Sequence, residues 1–185
     1  MCGISGVITS KRPIEPILEN MKFSMLHRGP DNQSHFLSKD LGLVHTRLSI
    51  IDLSTDANQP MSDISNRYTI VFNGEIFNYL ELRNELIESG IMFKTNSDTE
   101  VLLNGYISEG LDFLKRVNGF YSFCIYDLDK ELLTLSRDFY GKKPLYYYLS
   151  KEEFIFGSEM KTIINSMNEK PQVNFHSLSH YLWKG

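Results

Sequence analysis

The sequence predicts an α+β fold in which two largely antiparallel sheets stack between helical layers. Strand signals stand at both ends of the chain with helical periodicity between them. The stretch from Phe120 to Phe156 is a succession of β-rich runs broken by short polar turns, as in a meander. Helix starts in the middle are marked by side-chain caps, and no internal repeat or long linker divides the chain.

In order, Cys2 to Thr9 is rich in β-formers and ends at the polar Ser10-Lys11-Arg12-Pro13, a strand and a turn. Ile17, Leu18, Met21, Met25 and Leu26 recur at helical spacing, and the Gly-Pro pair of His27-Arg28-Gly29-Pro30-Asp31 closes that helix. Ser34 to Ser38 and Gly42 to Ser49 read as short strands. Tyr68 to Asn73 reads as another, ending at Asn73-Gly74, a dipeptide suited to a tight turn. Asn78 and Ser97 each stand three residues before a glutamate, Glu81 and Glu100, which predicts N-capped helices after both. Phe120 to Tyr126, Leu132 to Ser136, Leu145 to Leu149 and Glu153 to Phe156 are the meander strands, with alternate faces of Tyr146-Tyr147-Tyr148 packed and wet. A last helix carries an apolar stripe of Phe175, Leu178, Tyr181, Leu182 and Trp183, which needs cover from its own domain or from a partner at a domain boundary.

At 185 residues, with 42% hydrophobic and 12% aromatic content, the chain can bury a core and is expected to form a single domain over 1–185. A net charge of −4 with scattered basic residues argues against a nucleic-acid partner. Two cysteines, one at the extreme N-terminus and one in an apolar run, make no disulfide framework and suit a reducing cytosol. The start has neither a basic n-region nor a long apolar h-region, and no run approaches the ~20 apolar residues of a membrane span, so a cytoplasmic protein with no membrane partner is expected. No paired Cys or His spacing suggests a metal site, and no Gly-x-x-x-x-Gly-Lys phosphate loop occurs.

The chemistry concentrates at Met1-Cys2-Gly3. Removal of Met1 would leave Cys2 with a thiol, which titrates near ~8.5, beside an α-amine near ~7.7–8.0. Such an amine can take the thiol's proton and return it to a leaving group. A small second residue favours methionine removal, so the mature protein is expected to begin at Cys2. With Met1 attached, that amine is a peptide nitrogen and no base. Cys124, inside Phe120-Tyr121-Ser122-Phe123-Cys124-Ile125-Tyr126, reads as a buried structural thiol.

In chain order, Cys2-Gly3-Ile4, His27-Arg28-Gly29-Pro30-Asp31, His45-Thr46-Arg47-Leu48-Ser49-Ile50-Ile51-Asp52, Phe72-Asn73-Gly74-Glu75-Ile76, Ser97-Asp98-Thr99-Glu100, Gly119-Phe120, Arg137-Asp138 and Gly157-Ser158-Glu159-Met160-Lys161 span essentially the whole sequence. Taken together, this set resembles the glutaminase domain of glutamine-hydrolysing asparagine synthetases, a class II glutamine amidotransferase. The resemblance implies the N-terminal nucleophile hydrolase fold, a four-layer αββα sandwich. It implies that Cys2 attacks the side-chain amide of L-glutamine to give a glutamyl thioester and ammonia, with the Asn73 side chain and the Gly74 amide as oxyanion donors. Arg47 matches the position that grips the α-carboxylate, a task suited to a planar guanidinium. Glu75 and Asp98 match positions around the α-ammonium, and Leu48, Ser49, Ile50 and Ile51 line the same pocket. Alone, Asp98 would be a helix-start acid, Arg47 a surface ion-pair former and Asn73-Gly74 a hairpin turn.

No cofactor is implied in this domain. ATP and magnesium belong to the family's C-terminal synthetase domain, expected here as a further domain or separate subunit outside residues 1–185, and a homodimer is left open. His27 or His45 as the base of a Cys-His hydrolase is a competing mechanism, against which both read more simply as loop hydrogen-bonders. Three functions follow: ammonia supply for asparagine synthesis from aspartate; the same glutaminase serving another acceptor, such as a surface sugar or a peptide carboxylate; and a non-catalytic interaction module of the same fold. The cysteine weighs against the last.

Overall fold

The computed structural model describes residues 1–184. Its strands are β1 (Gly3–Thr9), β2 (Asn32–Ser38), β3 (Leu41–Arg47), β4 (Met61–Ser62), β5 (Tyr68–Ile76), β6 (Gly119–Asp127), β7 (Leu132–Arg137), β8 (Tyr146–Leu149) and β9 (Glu153–Gly157). Its helices are α1 (Glu15–Ser24), α2 (Tyr79–Glu88), α3 (Asp98–Glu109), α4 (Leu111–Leu114), α5 (Met160–Ser166) and α6 (Phe175–Lys184). A five-stranded sheet runs β2-β3-β1-β9-β8 and a four-stranded sheet runs β4-β5-β6-β7, with every strand pair antiparallel.

Burial separates the layers. Ile17, Leu18 and Met21 of α1 and Ile163 of α5 pack on Val7, Val44 and Ile155, the outer face of the five-stranded sheet. Leu82 and Leu86 of α2, with Val101, Leu102 and Leu103 of α3, cover Ile70, Phe72, Phe123 and Ile125 of the other sheet. Ile4, Leu41, Leu43, Val71, Cys124, Tyr126 and Phe156 fill the space between the sheets. The period of two along each strand sends neighbouring residues to opposite faces, which is how Val71 reaches the interlayer while Phe72 reaches the helices. The result is the four-layer αββα sandwich expected of the chain. Cys124 is fully enclosed in it, and burial pushes its thiol far above the usual range.

Several local readings are corrected. Asn73-Gly74 is not a turn: both residues lie inside β5, opposite Ser122 and Tyr121 of β6. A Cβ at Gly74 would stand 2.5 Å from the Phe120 carbonyl oxygen, so the position requires glycine for close approach and not for a hairpin. Asn78 does not cap α2. Its side chain instead donates to Arg116 O and accepts from Asn118 N, tying the segment after β5 to the segment before β6. Ser97 does cap α3, accepting from Glu100 N at 3.2 Å. Glu100, however, reaches past the cap to Lys94 N and Thr95 N at 2.8 and 2.7 Å. The first helix stops at Ser24, and a 3₁₀ turn over Leu26–Arg28 carries His27. His45 is no loop residue but lies fully buried in β3. In β8, an edge strand, Tyr146 and Tyr147 are both exposed and only Tyr148 packs inward. β4, α4 and α5 are elements that periodicity did not single out, each being short. Among the described residues the apolar stripe of α6 finds no cover, since none of its residues is buried. Among the described residues no helix is long and apolar enough to cross a membrane.

Candidate active site

A pocket of about 100 Å³ opens where the start of β1, the end of β3, the second half of β5 and the N-terminus of α3 converge. Cys2 stands one residue before β1, and the Leu48 N–H points at its Sγ from 3.4 Å. Burial pushes the Cys2 thiol up, while the Leu48 N–H, the chain's N-terminal charge and Arg47 pull it down. The Cys2 carbonyl accepts from Arg28 Nε at 2.9 Å, and Arg28 is in turn paired with Glu159 at 3.1 Å. Behind it, Ile4 N donates to Ser158 Oγ at 3.0 Å, so the strand that follows Cys2 is fixed from both sides.

Arg47 ends β3 almost fully buried. Its Nη1 donates to Ser54 O at 2.7 Å and Asn58 Oδ1 at 2.6 Å, and its Nη2 donates to Asp52 O. All three acceptors are neutral, so they aim the guanidinium without cancelling its charge. Asp52 in turn accepts from Asn96 N at 2.8 Å, which ties the loop after β3 to the approach to α3. On the opposite wall, Asp98 accepts from Ile76 N at 3.1 Å, and burial, reinforced by Glu75, pushes its carboxyl up to about 6. Glu75 is exposed at the rim.

Asn73 is 1% exposed, and its Nδ2 has no hydrogen-bond partner among the described residues. Gly74 follows it on the free side of the strand. Asp63 N donates to Tyr68 O on the β4 side, whereas Leu128 N and Phe77 N join Arg67 O and Asn118 O on the β6 side. Hydrogen-bonding direction alternates along an antiparallel strand, so the backbone groups of Phe72, Gly74 and Ile76 all face away from β6. The Gly74 N–H thus points to the open edge where the pocket lies.

Of the residues singled out in the sequence, Cys2, Arg47, Leu48, Ile50, Ile51, Asn73, Gly74, Glu75 and Asp98 all line this pocket. Ser49 does not: its N–H donates to Asp31 Oδ2 at 2.8 Å, so it tethers the loop rather than lining the cavity. Met1 also lines it, and Lys143 Nζ approaches Met1 Sδ to 3.3 Å. Gln59, Thr99 and Lys143 are lining residues that sequence reading missed. Two had a nearby signal: Thr99 stands inside the Ser97-Asp98-Thr99-Glu100 motif, and the Lys143 N–H is anchored at 3.0 Å by Asp138 of the Arg137-Asp138 pair. Neither histidine serves the thiol: His27 pairs with Glu159 at 2.8 Å, and His45 Nε2 meets Phe72 O at 3.2 Å. Burial drives His45 down to about 3, so it is neutral at physiological pH.

A family model described as a glutamine amidotransferase domain matches residues 1–185. The chain belongs to that family. It is 39% identical, over its full length, to 39% of a protein of Methanocaldococcus jannaschii named putative asparagine synthetase [glutamine-hydrolyzing] 2. It is 37% identical, over 98% of its length, to 29% of Bacillus subtilis asparagine synthetase [glutamine-hydrolyzing] 1. This glutamine amidotransferase domain thus spans well under half of the relatives it matches. The solved structure of glutamine phosphoribosylpyrophosphate amidotransferase from Bacillus subtilis superposes with a TM-score of 0.73 over 89% of this chain and 43% of that one, at 20% identity. That likeness shows a shared fold, the four-layer sandwich described above.

Proposed function

We propose that this domain hydrolyses L-glutamine to glutamate and ammonia through a thioester on Cys2. The observation that carries the reading is the meeting, in one pocket, of a thiol at the chain start with two unengaged donors, Asn73 Nδ2 and the Gly74 N–H. Once Met1 is gone, the Cys2 α-amine takes the thiol proton as Sγ bonds to the amide carbon of the substrate. The carbonyl oxygen becomes an oxyanion between the two donors. Collapse breaks the C–N bond, the amine's proton leaves with ammonia, and a thioester remains. Water adds to that thioester by the reverse proton route, breaking the C–S bond and releasing glutamate. Arg47 receives the α-carboxylate, and Asp98 with Glu75 receives the α-ammonium.

Supported by the names of its relatives, the ammonia goes to an aspartate-activating synthetase unit that makes asparagine, with ATP and magnesium held by that unit. The test is glutamate release from L-glutamine by the Met1-free protein, beside Cys2→Ala and a form that keeps Met1. Activity confined to the Met1-free wild type is expected. Equal release by Cys2→Ala would overturn the mechanism. Asparagine formation with a partner synthetase, ATP and aspartate then tests the acceptor, and ammonia release with no asparagine would exclude it.

A further inference from the structure

The strand that carries both oxyanion donors is a strand with half a neighbour. β4 pairs β5 only through Met61↔Ile70 and Ser62↔Thr69, so beyond Ile70 the edge of β5 has no backbone partner. An edge of this kind normally frays or pairs with water. Here side chains take the place of the missing strand. Phe72 N donates to Gln59 Oε1 at 2.6 Å, His45 Nε2 lies 3.2 Å from Phe72 O, and Ile76 N donates to Asp98 Oδ2 at 3.1 Å. Of the edge-facing N–H groups in this stretch, the flanking two are engaged and the one between them, Gly74, is left for a ligand.

Resting on the glutaminase reading above, we propose that Gln59 is a positioning residue for the oxyanion donors, standing in for β4 at Phe72 and holding Asn73 and Gly74 in register. Gln59 is suited to it. It is buried, and its Nε2 donates to Thr99 Oγ1 at 3.1 Å, so the amide orientation is set by α3 and its oxygen is committed to Phe72. The chain thereby links the helix that carries Asp98 to the strand that carries Asn73. His45, neutral because burial holds it near 3, serves the carbonyl of the same residue as an N–H donor without bringing a charge beside the oxyanion. Preorganised donors need no rearrangement as charge develops, which is why looseness in this strand would cost turnover rather than binding.

The variant is Gln59→Met, which keeps volume and removes both hydrogen bonds. In the Met1-free protein kcat is expected to fall about 10- to 100-fold, less than the loss of a donor outright, with KM within about twofold. The rate of Cys2 alkylation by iodoacetamide, read by mass, should not change, because the thiol sits on the other sheet; Cys124, fully buried, does not report. Hydrogen exchange over residues 71–76 should quicken while that over 121–126 does not, and this readout stands whether or not the protein turns over glutamine. Unchanged kcat and unchanged exchange would overturn the proposal, as would a joint fall of kcat, alkylation rate and melting temperature, which would make Gln59 merely structural. A wild type no more active than Cys2→Ala would instead overturn the glutaminase reading itself.

Discussion

The pocket wall and helix α6 break the same rule in opposite directions. In the wall, Arg47, Asn73 and Asp98 are polar and almost fully buried. On α6, Phe175, Tyr181, Leu182 and Trp183 are apolar and open, Trp183 at 81% exposure. A buried polar group is tolerated where its partners are supplied, as they are for Arg47 and Asp98, whereas Asn73 keeps an unpaired Nδ2. A large exposed apolar stripe has no such internal compensation, and only a covering surface relieves it. The first violation is complete within the domain and marks chemistry. The second stays uncompensated among the described residues.

The largest effect that would break this comparison is at Asn73. Asn73→Ala removes the unpaired donor and is expected to lower kcat for glutamine hydrolysis about 100- to 1,000-fold, with melting temperature retained. Steady-state kinetics checks it, and a loss below tenfold would make Asn73 a buried polar group without a task. Next is Asp98→Asn, which keeps an acceptor for Ile76 N but loses the charge, so KM for glutamine should rise about 10- to 100-fold. The wild-type carboxyl, raised to about 6, is ionised above that value and neutral below it. KM should therefore climb as pH falls through about 6 in the wild type and stay flat in Asp98→Asn; a flat wild-type profile would remove Asp98 from the ammonium site.

Gly74→Ala drives a methyl toward the Phe120 carbonyl and should cost about 1–3 kcal/mol in urea melts. A neutral result would mean the β5–β6 pair yields more readily than its register implies. The smallest effect is on α6: Leu182→Ser with Trp183→Ser should move the melting temperature by less than about 2 °C, since no packing is lost, while lowering self-association at high concentration. A drop beyond about 4 °C would show the helix docked on its own domain.

His45 adds a pH limit of its own. Its folded value near 3 lies below the 6.5 of a free imidazole, so its contribution is complete above 6.5 and is lost as pH falls toward 3. Between those limits stability should decline by up to about 1.4 kcal/mol per pH unit from this group, and His45→Gln should flatten that slope in acid melts.

Much of this was legible because it is local or periodic. The apolar runs of β1, β5 and β6, the α3 cap at Ser97 and the open stripe of α6 follow from residue order alone. Cys2 stood out by its place at the chain start, whereas Arg47, Asn73 and Asp98 were singled out only through the family resemblance, since alone they read as an ion-pair former, a turn residue and a helix-start acid. What failed was non-local. Asn-Gly prefers a turn, but pairing with Ser122 and Tyr121 across the sheet overrode that preference. Asn78 looked like a cap until the loop at Arg116 and Asn118 claimed its side chain. Gln59 carries no periodic or motif signal at all, since its task exists only because β4 does not begin until Met61, leaving Phe72 without a strand partner.

The layered interior has a consequence for how the site keeps its dimensions. Cys2 belongs to one sheet and Asn73 to the other, and what separates the sheets is the fill of Ile4, Leu43, Val71, Cys124 and Phe156. Ile4 lies two residues from the thiol and Val71 two from the donor. That fill acts as a gauge block: its thickness sets the distance from the Cys2 sulfur to the Asn73 side chain. Shaving it by a methyl or two would leave a protein that still folds but whose two halves no longer meet across the pocket at their present spacing.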